Sequence, residues 1–151
     1  LENDTSGDTL EKRINEAGHH MMKRTIIPDD VSQIKETLES MSKLKEIDCI
    51  ITTGGTGLTG RDTTPEAVKE IANKHIDGFG ELFRQVSFNK IGTSAIQSRA
   101  VAALINSTYV FCLPGSTGAC KDGWDEILKY QLDIRHKPCN FVEIMPRLNE
   151  K

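Results

Sequence analysis

The four cysteines, Cys49, Cys112, Cys120 and Cys139, form no Cys-x-x-Cys pair. Spacing this irregular reads neither as a zinc site nor as a disulfide framework. Two of them lie in apolar, strand-like runs, where a thiol behaves as a small hydrophobe. A reducing compartment, the cytoplasm, is the simplest expectation. Positive charge is not in excess either: 19 Lys and Arg stand against 22 Asp and Glu, a formal net charge of −3. No broad basic footprint therefore points to nucleic acid. No apolar run approaches the length that crosses a bilayer, and no charged-then-apolar leader is visible. Neither a membrane nor a nucleic acid is expected as a partner. A Gly-Lys-Ser/Thr phosphate loop, internal repeats and low-complexity stretches are also missing. What remains, 151 residues with 37% hydrophobic and 27% charged, suits one globular domain over residues 1–151.

The most informative stretch runs from Asp48 to Ala67. Cys49 to Ile51 is short, apolar and β-branched, as in a buried strand. It meets Gly54, Gly55, Gly57 and Gly60, interleaved with Thr56, Leu58 and Thr59. Such a loop can take φ > 0, approach a ligand closely and converge its N–H groups on an anion. Arg61 and Asp62 follow. Then Thr64 suits an N-cap, Pro65 the first helical position, and Glu66 the positive end of the helix dipole. The text pattern Gly55-x-Gly57-x-x-Gly60 matches a dinucleotide fingerprint, but Pro65 delays the helix and the expected acid-ended strand does not follow.

The rest of the chain reads as a frame for that loop. Residues 1–7 form a polar loop. A helix carries Leu10, Ile14 and Ala17 and stops at Gly18. His19 to Ile27 reads as a strand ended by Pro28. Asp29-Asp30 starts a helix with an apolar stripe of Val31, Ile34, Leu38, Met41 and Leu44. Helices are expected over Gly78–Val86 and over Ser94–Asn106, the latter on its alanine content. Tyr109 to Leu113 is a buried strand that runs into a second anion-friendly loop, Pro114-Gly-Ser-Thr-Gly118. A last helix holds Trp124, Ile127, Leu128 and Leu132.

Alternating strands and helices predict a three-layer, doubly wound α/β fold, a mostly parallel sheet with helices on both faces. Ligands of such sheets bind beyond the carboxyl ends of the strands. The loops at Gly54 and Pro114 both sit there and are expected to share one crevice. Asp62 beside the glycines suits a hydrated Mg²⁺, which favours one or two carboxylates plus phosphate oxygens. Ser98, Arg99, Ser116 and Thr117 are candidate phosphate donors. Asp29 reads equally as a helix-start residue or a ligand. The four histidines show no base-plus-nucleophile pattern.

Taken together, Asp4-Thr-Ser-Gly7, Ile27-Pro-Asp29, Thr52-Thr-Gly-Gly-Thr-Gly57, Arg61-Asp-x-Thr-Pro-Glu-Ala67, Gly78-Phe-Gly-Glu-Leu-Phe-Arg84, Gln97-Ser-Arg-Ala100 and Leu113-Pro-Gly-Ser116 resemble the MoaB/MogA family of molybdenum-cofactor biosynthesis proteins. Ser87-Phe88, Ile91-Gly92-Thr93 and Pro114-Gly-Ser-Thr117 look more like the MoaB branch. The resemblance implies a molybdopterin-binding fold that assembles as a homotrimer or hexamer. It implies binding of molybdopterin and, in active members, its adenylylation by Mg-ATP with release of pyrophosphate. Asp62 matches the family's essential aspartate and Asp29 a second functional acid. Ser6, Gly54, Gly55, Thr56, Gly57, Ser98, Pro114, Gly115 and Ser116 match positions lining the pterin and nucleotide site. Family members place a strand just ahead of the Asp-x-Ser-Gly element, so these residues are expected to be a trimmed stretch of a longer chain. Some MoaB-branch members lack the Asp62-type acid and are silent. A protein that binds or carries molybdopterin without turnover is therefore the alternative. A structural scaffold and a nicotinamide enzyme rank below it.

Overall fold

The computed structural model describes residues 3–151. Its sheet has four strands in the order β1 (Cys49–Thr53), β4 (Thr108–Leu113), β3 (Val101–Ile105), β2 (Lys74–His75). β1 and β4 pair in parallel, Cys49 opposite Tyr109 and Thr53 opposite Leu113. β3 is antiparallel to β4, and β2 to β3. Every residue of β4 is buried, as a strand covered on both faces must be.

Two apolar layers make the core. One face of the sheet packs Tyr109, Phe111 and Leu113 against Leu10, Phe79, Phe83, Trp124 and Leu128. These come from α1 (Thr5–Glu16), α4 (Asp77–Ile91) and the C-terminal helical run. The other face packs Ile50, Val110 and Cys112 against Ile34, Leu38, Ala67 and Val68. These belong to α2 (Val31–Ser42) and α3 (Thr64–Ile71). The result is the expected three-layer α/β architecture with a mixed sheet. All four cysteines are free.

Several local expectations hold for the reasons given by the sequence. Asp30 Oδ1 accepts the Gln33 amide at 2.9 Å and caps α2. Gly18 ends α1 with φ of 84°. The run expected last is helical from α5 (Thr117–Gly123) through a π-helical turn (Trp124–Leu128) into α6 (Lys129–Gln131).

Three expectations need correction. Residues 1–2 of the expected polar loop lie outside the described residues, but α1 already starts at Thr5, because Asp4 caps it by accepting the Gly7 amide at 2.9 Å. The helix expected over Ser94–Asn106 is a 3₁₀ turn (Gly92–Gln97) followed by β3. Its alanines are small because β3 is covered on both faces, Ala102 and Ala103 being fully buried. The hairpin to β4 turns at Asn106 and Ser107, both with positive φ, 49° and 67°. Such a pair twists the strands in their own sense. Lastly, His19 to Ile27 belongs to no strand and pairs with no neighbour. Side chains hold it instead: Arg24 pairs with Asp4, Asp8 and Glu11, and His19 meets Trp124 edge-on at 5.9 Å. Between this segment and the open edge of β1 lies a cleft of about 1570 Å³, lined by both.

Candidate functional site

Three chain segments converge beyond the carboxyl ends of β1 and β4. The loop after β1 turns at Gly54 and Gly55, with φ of 95° and 73°. The Gly54 amide donates to Leu113 O at 2.9 Å, which ties it to the end of β4. The loop after β4 follows at once, and a Cβ on Gly115 would lie 3.3 Å from the Gly54 Cα. The two loops thus touch main chain to main chain, although the cleft that Gly54 lines does not reach Pro114, Gly115 or Ser116. The third segment is the start of α1. Thr53 Oγ1 is 3.1 Å from Ser6 Oγ and 3.2 Å from Pro114 O, and Cys120 Sγ lies 3.4 Å from Thr53 Oγ1. Burial raises the Cys120 thiol above its ordinary pKa, which suits a neutral packing role. Thr5 and Thr117 share a hydroxyl contact at 3.1 Å. Ser116 caps α5 by accepting the Ala119 amide at 3.1 Å.

Two of the loop glycines, Gly55 and Gly57, leave no room for a side chain, while Gly54 and Gly60 face open space. A Cβ on Gly55 would come within 2.3 Å of Thr64 Oγ1, and one on Gly57 within 2.7 Å of Asp62 Oδ2. Thr64 does not cap α3. The helix includes it, and its hydroxyl reaches back to Gly54 O at 3.3 Å. Thr56 is buried.

Asp62 is held by its own loop. Oδ2 accepts the Thr59 amide at 2.9 Å and the Thr59 hydroxyl at 2.7 Å. These bonds, the hydroxyl foremost, bring the Asp62 carboxyl below the usual aspartate range. It is therefore ionised at neutral pH. The Thr59-x-x-Asp62 spacing, that of a reciprocal cap, is a sequence signal that could have located Thr59.

The candidate phosphate donors divide. Ser98 O accepts Arg84 Nη1 at 3.3 Å, and Ser98 Oγ lies 3.4 Å from the Ala100 amide. The Arg99 guanidinium is engaged within the protein. Nε donates to Gly57 O at 2.8 Å, Nη2 to Asp62 O at 2.9 Å, and Nη1 pairs with Glu66. Asp29 is exposed and lines the cleft beside β1 together with Gly54 and Thr64, a lining that Asp62, Ser98 and Arg99 do not share. Glu66, read from the sequence only as a helix-start residue, and Thr59 and Thr53, given no role there, hydrogen-bond to the candidate residues Arg99, Asp62 and Ser6. Among the described residues no group of three or more His, Cys, Asp or Glu could hold a metal ion on its own.

Two touching loops at the strand ends of an α/β domain, one carrying a fixed carboxylate, stand where such folds hold their ligands. Comparison with known proteins narrows this class. Residues 2–134 match the family model described as "Probable molybdopterin binding domain". The chain belongs to that family, the MoaB/MogA proteins of molybdenum-cofactor biosynthesis. It is 44% identical over 140 residues to the Molybdenum cofactor biosynthesis protein B of Escherichia coli K12, covering 93% of this chain and 82% of that protein. It is 42% identical over 118 residues to a protein of Methanocaldococcus jannaschii named "Probable molybdopterin adenylyltransferase", covering 78% of this chain and 69% of that one. A crystal structure of a Molybdenum cofactor biosynthesis protein B superposes with a TM-score of 0.84 at 39% identity, over 87% of this chain and 82% of the other. The tungsten cofactor synthesizing protein MoaB from Pyrococcus furiosus gives 0.77 at 34% identity, over 88% and 84%. Among the described residues no helix is long and apolar enough to cross a membrane.

Proposed function

We propose that this chain binds molybdopterin and adenylylates it with Mg-ATP. A phosphate oxygen of molybdopterin attacks the α-phosphorus of ATP, and pyrophosphate leaves. The observation that carries this reading is the contact between Gly54 and Gly115, which sets two anion-friendly loops side by side at the strand ends. The M. jannaschii relative named for this activity supports it. In-line transfer between phosphates needs positioning and charge neutralisation more than a protein nucleophile. The loop amides and the Ser6 and Ser116 segments bind and orient the phosphates.

The residues fit a magnesium ion that arrives with the nucleotide. Asp62 would hold it, its carboxylate being fixed and kept ionised by the Thr59 bonds. Thr63 Oγ1, next in the chain, is buried with no hydrogen-bond partner, a donor that an added phosphate or water would satisfy. Such an ion supplies charge neutralisation at the phosphates. A single carboxylate completed by waters and substrate oxygens is an ordinary magnesium arrangement. Asp29, on the cleft side of Gly54, is assigned to the pterin end of the site.

The reading extends to assembly, domain and compartment. The α4 and 3₁₀ surface exposes Phe88, Ile91 and Ile96 at 57%, 57% and 83%, a face suited to a homotrimer or hexamer. The cleft between residues 19–27 and the outer edge of β1 has room for one more strand beside β1. The support is the outer edge of β1, which is paired on one side only among the described residues and faces that cleft. A reducing cytoplasm fits four free cysteines. Incubation with molybdopterin and Mg-ATP tests the central reaction. Pyrophosphate release is expected; tight pterin binding without release supports the silent carrier instead.

A further inference from the structure

Arg99 was a candidate phosphate ligand, and its position shows a different use. Its backbone amide donates to Thr56 O at 3.0 Å. Nε and Nη2 reach Gly57 O and Asp62 O at 2.8 and 2.9 Å. Its remaining guanidinium donors face the Glu66 carboxylate. One side chain therefore joins the start of the loop, its end, and the first turn of α3. Asp62 is gripped at both ends, its carboxylate by Thr59 and its carbonyl by Arg99. The hairpin side is fixed too, because Arg84 Nη1 donates to Ser98 O and Ala100 O on either side of Arg99.

We infer that Arg99 is a positioning residue: oriented by Glu66, it presets the Gly57–Asp62 loop so that the Asp62 carboxylate stands ready for the metal-bound nucleotide. The role in turnover rests on the adenylyltransferase reading; the role in loop geometry does not. The physical reason is the planar fork of arginine, whose donors span several acceptors at fixed angles. Lysine brings the same charge as a point and cannot bridge Gly57 O, Asp62 O and Glu66 at once. Glutamate 66 gives Arg99 a charge partner at the site rim, so that the guanidinium stays on the loop and off the incoming phosphates.

The two roles for Arg99 predict opposite results. A phosphate ligand is largely rescued by Lys, and freeing it from Glu66 leaves phosphate affinity unchanged or better. A loop clamp is not rescued by Lys, and loses function when Glu66 is removed. The test compares Arg99→Lys and Glu66→Gln with the parent chain. The first readout is amide hydrogen exchange of the ligand-free protein. Exchange over residues 57–62 should quicken about tenfold in Arg99→Lys, the size of one or two lost charge-assisted bonds, with β4 unchanged. Glu66→Gln should show a smaller change at the same amides. The second readout is pyrophosphate release: kcat should fall about tenfold while the KM for molybdopterin stays within about twofold. Parental loop exchange in Arg99→Lys overturns the inference, as does full turnover in that variant. If the parent chain itself releases no pyrophosphate, the adenylyltransferase reading fails while the exchange result still decides the clamp.

Discussion

Gly54 and Gly115 touch main chain to main chain, so that a single Cβ on Gly115 would stand 3.3 Å from the Gly54 Cα. That contact is closer than most Cβ neighbours, and Gly54 cannot retreat easily because its amide is bonded to Leu113 O. Gly115→Ala should therefore spread the two loops by a few tenths of an ångström. Affinity for molybdopterin should fall roughly three- to tenfold, a typical penalty for slightly misplaced ligand groups. Thermal stability should change little. Calorimetric titration beside a melting curve checks both.

Gly57 and Asp62 provide a sharper steric test. A Cβ at Gly57 meets Asp62 Oδ2 at 2.7 Å, which a carboxylate avoids only by leaving its Thr59 bonds. Gly57→Ala should lower turnover by about a hundredfold, the scale of a displaced catalytic group. Steady-state pyrophosphate release measures the loss, and a folded far-ultraviolet spectrum separates it from collapse.

The acidity of Asp62 follows from Thr59. With its hydroxyl bond the leading cause, the folded carboxyl titrates below its unfolded value. A depressed carboxyl adds stability that is present above the unfolded pKa and is lost as pH falls through the folded one. Asp62 should thus remain ionised across the neutral and mildly acidic range. Thr59→Ala removes the hydroxyl and should move the Asp62 pKa up towards the ordinary aspartate value. Carboxyl-resolved NMR titration of the two proteins reads the shift directly. An unchanged pKa would place the cause elsewhere.

Arg24 is the main tether of the unpaired segment beside β1. It binds Asp4 at 2.8 Å and also reaches Asp8 and Glu11. At Asp4, burial opposes ionisation, but the Arg24 and Gly7 bonds outweigh it and lower the pKa. Arg24→Met should release residues 19–27 and raise their hydrogen exchange. The global cost should be about 1–3 kcal/mol, the range for a lost charge-assisted contact at a part-buried site. Exchange mass spectrometry together with urea unfolding tests this.

The sequence was most readable where one residue has one use. The strand read over Cys49 to Ile51, which runs on to Thr53, the glycine turn, Pro65 in the first turn of α3 and the apolar stripe of α2 up to Met41 all follow from local pattern, whereas Leu44 lies past the helix end and is exposed. It was least readable where burial on both faces replaced pattern. Ala102 and Ala103 are small because helices cover β3 and its neighbours on either side, and alanine alone reads as helix. Residues 19–27 end in the β-branched Thr25-Ile-Ile27 ahead of Pro28, as a strand would, yet a strand is made by its partner, and β1 offers them a gap. The Arg99–Glu66 pair spans 33 positions, so no local spacing announces it. Pattern could suggest a charge at Arg99 but not the carbonyls that it would meet.

The most direct measurement of the account is pyrophosphate release from Mg-ATP and molybdopterin, run side by side on the parent chain and Asp62→Ala, with pterin binding measured on both. The account predicts release by the parent, loss of release in the variant, and similar pterin affinity in the two. Equal release by both, or none by the parent despite tight binding, would contradict it.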